Sequence, residues 1–195
     1  LYERAAQFWQ ATLPQHPDQT LLLVAHSAIN RALIGTALGL GPARHETLHQ
    51  ANCAISVLNF SGQIGDAVQL ESMNLTGHMG EPLPTMRGRH KGPRMLLVRH
   101  GETEWNRQKR FQGQIDIPLN DNGKRQGEQA AEFLKAIAID AAATSPLSRP
   151  KETAEIILQH HPDVALGQVE DLKEIGHGEW EGLYEEEIES GYPGM

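Results

Sequence analysis

Strand-length apolar runs alternating with helix-periodic segments predict an α/β fold for this 195-residue chain. Three observations carry the prediction. Leu21-Leu22-Leu23-Val24-Ala25 and Met95-Leu96-Leu97-Val98 are short, unbroken apolar runs, the pattern of strands buried on both faces. Each run stops abruptly at polar residues, His26-Ser27 in one case and Arg99-His100-Gly101 in the other. From residue 95 onward, strand and helix patterns alternate in a β–α–β order.

Taken along the chain, residues 1–13 read as an amphipathic helix broken by Pro14 and Pro17. After the strand at 21–25, a helix is expected over about 30–38, stopped by Gly39 and Gly41-Pro42. Residues 54–60 alternate and 67–71 form a second run across the turn Ser61-Gly62-Gln63, which predicts a hairpin. Residues 73–94 hold seven of the glycines and prolines that mark linkers, Gly77, Gly80, Pro82, Pro84, Gly88, Gly92 and Pro93, and four cations, Arg87, Arg89, Lys91 and Arg94. They read as a basic linker with solvated charges. Beyond it come the strand at 95–98, a long loop, and a helix over about 124–136 with caps in Asn120-Asp121-Asn122-Gly123. A short strand at 139–144, a helix at 151–158 opened by Pro150, and an extended segment at 169–172 complete the pattern.

Composition narrows the function. A net charge of -8 argues against general nucleic-acid binding, and no apolar run approaches the roughly 18 residues of a membrane span. Cys53, the only cysteine, excludes an internal disulfide, fits a reducing, cytoplasmic compartment, and reads as a small buried hydrophobe. The first helix pattern starts at Leu1 and the last runs close to Met195, so both ends read as cuts through a longer protein.

The polar residues at strand and loop ends suit phosphoryl transfer through a histidine. Arginine's planar fork binds a phosphate dianion bidentately. A neutral imidazole attacks phosphorus in line, and neighbouring arginines keep it neutral. A carboxyl group protonates the leaving oxygen and then activates water. The remaining histidines, including His160-His161 at a helix end, do not form metal-ligand spacing, and no metal or cofactor is implied.

The string Leu96-Leu97-Val98-Arg99-His100-Gly101-Glu102-Thr103-Glu104-Trp105-Asn106, continued by Arg110-Phe111-Gln112-Gly113-Gln114 and Pro118-Leu119-Asn120, closely resembles the first segment of the histidine phosphatase (phosphoglycerate mutase-like) superfamily. Ser145-Pro146-Leu147-Ser148-Arg149 is similar to the segment supplying that family's second phosphate-binding arginine. Leu172-Lys173-Glu174-Ile175-Gly176 and the following Glu179-Trp180-Glu181-Gly182 resemble the proton-donor segment. Leu23-Val24-Ala25-His26-Ser27 is similar to the segment with the second active-site histidine, with Ser27 where the family usually has glycine. The resemblance implies a three-layer α/β/α sandwich with a mainly parallel sheet. It implies His100 as nucleophile, Glu174 as proton donor and His26 as second histidine. Arg99 and Arg149 would bind phosphate, with Asn106 and Gly113 helping to hold phosphate or substrate. Asn106 also reads as a turn cap, and Glu179 and Glu181 read as structural or solvated.

In the family the Arg-His-Gly strand comes first; here His26 precedes His100. Residues 1–72 therefore resemble the C-terminal half of such a domain and 95–195 the N-terminal half. Two arrangements fit: a slice through a tandem protein, favoured by the cut-looking ends, or a circular permutant completing one site in cis or by exchange between two chains. The expected activity is metal-independent hydrolysis of a small phosphate ester through a phosphohistidine. The alternatives are a cofactor-dependent phosphoglycerate mutase, although Ile175-Gly176 stands where mutases usually carry Tyr-Gly, and a catalytically silent regulatory module.

Overall fold

A computed structural model of the chain describes residues 1–80, 83 and 94–192. It divides into two compact units, Leu1–Gly92 and Pro93–Met195. Most of the expected linker, with Arg87, Arg89 and Lys91, lies outside the described residues.

In the first unit, helix α1 (Tyr2–Thr12) ends in a 3-10 turn, Leu13–Gln15, where Pro14 has no N–H to continue the ladder. Helix α2 spans Ser27–Ala37 and starts three residues earlier than its pattern suggests. Strands β1 (Ile55–Phe60) and β2 (Val68–Leu75) form the expected antiparallel hairpin, with Leu58 opposite Leu70 and Phe60 opposite Val68. β2 extends into the segment read as linker, so Met73–Leu75 are strand residues. Ala5, Trp9, Ala32, Leu33 and Ala37 form the core between α1 and α2, and Leu58, Phe60 and Val68 pack on it from the hairpin. The Trp9 indole N–H donates to the Leu33 carbonyl at 3.0 Å, so its one polar atom is satisfied inside the core.

In the second unit, Thr103 opens the short helix α3 (Glu104–Arg107) with a reciprocal capping box. Its hydroxyl accepts from Asn106 N, and the Asn106 side chain accepts from Thr103 N. Helix α4 (Asp121–Leu134) is capped by Asn120, whose side chain accepts from Gly123 N at 2.8 Å. Strand β3 (Ala142–Thr144) leads into helix α5 (Ser148–Leu158), which packs on α4, and pairs in parallel with β4 (Leu166–Gln168). Residues 170–172, expected to be extended, form a 3-10 turn instead. Helix α6 (Glu185–Gly191) closes the described chain.

The fold class is α/β, but several expectations need correction. Residues 21–25 and 95–98 are neither strands nor buried: Leu22 is 88% exposed and Leu97 94% exposed. A strand exists only where a neighbour completes its backbone ladder, and among the described residues neither run has one. The mainly parallel sheet is accordingly represented there by β3–β4 alone, the other ladder being antiparallel. Cys53 is exposed, not buried, because it sits in the turn closed by Ala54 N donating to the Ala51 carbonyl, with φ 54°. Of the pair at the end of α5, His160 is exposed and His161 half-buried.

Candidate active site

The second unit holds six of the seven predicted site residues, all but His26. His100 follows the extended run 95–98 and is half-buried. Its Nδ1 lies 2.7 Å from the Gly101 carbonyl. A carbonyl only accepts, so Nδ1 carries the proton and Nε2 presents its lone pair. Arg149 Nε points at that Nε2 at 3.3 Å and donates to it. Burial pulls the His100 pKa below its ordinary 6.5, and the positive charges of Arg149 and Arg99 lower it further. The Gly101 carbonyl and the Glu174 carboxylate act in the opposite direction. The balance favours a neutral imidazole whose unprotonated Nε2 accepts from Arg149.

Arg149 is in the first turn of α5 and is only 1% exposed. Its Nη1 donates to the Ile115 carbonyl at 2.9 Å and Nη2 to the Gly113 carbonyl at 2.7 Å. The guanidinium plane is thus fixed by the 113–115 loop on one edge and aimed at His100 on the other. Burial lowers its pKa, and the charges of Asp116, Glu174 and Glu181 compensate in part. It remains a cation, since guanidinium does not lose its proton in proteins.

Arg99 is exposed and close enough to influence both His100 and Arg149. Glu174 is exposed on the 173–178 loop, and its Oε1 accepts from Ile175 N at 2.9 Å. Its carbonyl accepts from Gln114 Nε2, which ties this loop to the loop that braces Arg149. Gly113 takes part through its backbone. It has φ 54° and gives its carbonyl to Arg149. Asn106 is the partner of Thr103 in the α3 capping box, with Oδ1 accepting from the Thr103 N–H and hydroxyl. His26 lies in the first unit at the N-cap position of α2, exposed and without a side-chain cap bond.

Three supporting residues carry no local sequence signal for this role. Thr153 Oγ1 accepts from Gly101 N at 3.1 Å and donates to the Arg149 carbonyl at 2.8 Å, joining both motifs. Asp116 Oδ1 accepts from Ser148 N and from the Ser148 hydroxyl, both at 2.7 Å, and so caps the start of α5. Buried Gln112 accepts from the Thr103 hydroxyl at 2.7 Å. Among the described residues no group of three or more His, Cys, Asp or Glu is placed to hold a metal ion, and no helix is long and apolar enough to cross a membrane.

Residues 1–74 and 95–195 match the family model of the histidine phosphatase superfamily, branch 1. The chain belongs to that superfamily. Among curated relatives it is 48% identical over 99 residues to the uncharacterized phosphatase PhoE of Bacillus subtilis, covering 51% of each chain. It is 34% identical over 162 residues to 2-carboxy-D-arabinitol-1-phosphatase of Triticum aestivum, covering 82% of this chain and 32% of the relative. The chain spans about half or less of the length of these relatives. Among solved structures, a mycobacterial glucosyl-3-phosphoglycerate phosphatase is 32% identical with a TM-score of 0.46, covering 49% of this chain and 47% of its own. Membership of the histidine phosphatase superfamily rests on the family match and not on that overlay.

Proposed function

We propose that the second unit carries the phosphoryl-transfer half of a phosphomonoester hydrolase, with His100 as nucleophile. The observation that carries this reading is the pair of contacts on one imidazole, Nδ1 on the Gly101 carbonyl and Nε2 facing the buried Arg149. In the proposed reaction, the phosphoryl group takes the place of the Arg149–His100 contact. Arg149 and Arg99 neutralise its equatorial oxygens as charge spreads over them in the transition state. His100 Nε2 forms the N–P bond as the ester P–O bond breaks, and the Glu174 carboxyl gives its proton to the leaving oxygen. Glu174, now ionised, takes a proton from water, which displaces phosphate from His100. Arginine charge supplies the stabilisation, so the step needs no cation. Ile175-Gly176 stands where mutases of the family usually carry Tyr-Gly, which supports hydrolysis over mutase chemistry. The substrate class is a small phosphate ester.

We read the two matched segments, 1–74 and 95–195, as neighbouring pieces of a tandem arrangement. In that reading, residues 1–72 end one phosphatase-like domain and 95–195 begin the next. His26 contacts phosphate in the site of the domain that precedes, and His100 is the nucleophile of the domain that follows.

The test is hydrolysis of a panel of phosphate monoesters by the chain, with and without EDTA, beside His100→Ala. We expect turnover unchanged by EDTA and reduced at least about 1000-fold by the substitution. Turnover that survives His100→Ala sinks the mechanism, and loss in EDTA replaces it with a metal-assisted one.

A further inference from the structure

Glu181 lies beyond the proton-donor loop, in Trp180-Glu181-Gly182, and its carboxylate points back into the site's supporting layer. Its Oε1 accepts from Gln114 N at 2.9 Å and from His177 N at 3.1 Å. Those two N–H groups belong to the two loops that matter. Gln114 stands between Gly113 and Ile115, whose carbonyls hold both terminal nitrogens of Arg149. His177 is three residues beyond Glu174. The fit at Gly113 is so close that a Cβ there would stand 2.0 Å from Glu181 Oε1, so this site needs glycine for the carboxylate to reach the loop. The charge is also near enough to offset part of the cost of burying the Arg149 guanidinium.

We infer that Glu181 is a positioning residue that sets Arg149 and Glu174 together, by clamping the 113–115 loop to the 174–177 loop through one carboxylate oxygen. The inference rests on the hydrolase reading above and adds to it a group that touches neither phosphate nor leaving group. The same backbone N–H bonds hold the Glu181 carboxyl below its ordinary pKa, so it stays ionised and remains a pure acceptor across the neutral range. Because both N–H groups share Oε1, a glutamine carbonyl retains the clamp, whereas alanine abolishes it.

A comparison of two leaving groups separates positioning from mere stability. Phenolate gains more from a donated proton than p-nitrophenolate does, so misplacing Glu174 penalises phenyl phosphate more. For Glu181→Ala we expect kcat/KM to fall about 100-fold on phenyl phosphate and about 10-fold on p-nitrophenyl phosphate. Inorganic phosphate, measured by calorimetry, should bind about 10-fold more weakly as Arg149 shifts. Glu181→Gln should restore the ratio between the two substrates and the phosphate affinity. Equal losses on both substrates with unchanged phosphate binding, or a glutamine variant as impaired as alanine, overturn the inference. A wild-type chain that binds phosphate but turns over neither ester overturns the hydrolase reading alone, and the phosphate affinities of the two variants then decide for or against the clamp. A wild-type chain that binds no phosphate overturns both.

Discussion

His100 shows how a residue's surroundings select one protonation state. Burial and two arginines lower its pKa from 6.5, so the folded protein takes up this proton less readily than the unfolded chain. Between the lowered folded value and 6.5 the unfolded state holds more protons, and stability therefore falls as pH drops through that window. Above 6.5 both states are neutral and the cost vanishes. Urea unfolding from pH 8 to pH 5 should show wild type losing stability relative to His100→Ala on the acid side only, and a flat difference would mean the imidazole is unperturbed. The residues proposed to do the chemistry stand in contiguous motifs that the sequence displays directly: Arg99-His100-Gly101, Ser148-Arg149 and Lys173-Glu174. The residues that hold them do not. Asp116 meets Ser148 across 32 positions and Thr153 meets Gly101 across 52, and no local pattern encodes a contact at that range. Asn106 had two readings, and its Oδ1 takes part in the α3 capping box with Thr103.

At the scale of elements, α5 is the organiser. Its first turn carries Arg149, Asp116 caps its start, and one turn later Thr153 reaches the peptide of Gly101. Thr153→Val keeps the shape and removes the hydroxyl. The buried Gly101 N–H loses its acceptor and the Arg149 carbonyl its extra donor. We expect about 1–3 kcal/mol of destabilisation in urea, with turnover about 10-fold lower as the His100–Gly101 peptide drifts. Thr153→Ser should recover most of both, and a valine variant as stable as wild type would leave the contact without consequence. Helices and the hairpin were legible because their signals are local: Pro14 ends α1, Asn120 caps α4, and alternation marks β1 and β2. The runs 21–25 and 95–98 were legible as strand-forming sequence only. Whether such a run becomes a strand depends on a partner that its own residues do not specify.

The whole molecule makes those two runs its least settled feature. Leu22, Val24, Met95 and Leu97 are each more than three-quarters exposed, and their backbones have no ladder among the described residues. On the tandem reading each run is a strand that the rest of its own domain would cover, which explains apolar sequence left facing solvent here. Uncharged, apolar and without a ladder among the described residues, a run of this kind is a template for another chain. Covering about four such side chains is worth roughly 1.5–3 kcal/mol apiece before the cost of association. The chain by itself should therefore self-associate, with a light-scattering mass that rises with concentration. Val24→Lys combined with Leu97→Lys places a charge in each run and should return the mass to that of one chain while α-helical circular dichroism is retained. A wild-type chain that stays monomeric at every concentration would mean both runs are covered within one chain. An associating chain indifferent to the lysines would place the contact elsewhere on the surface.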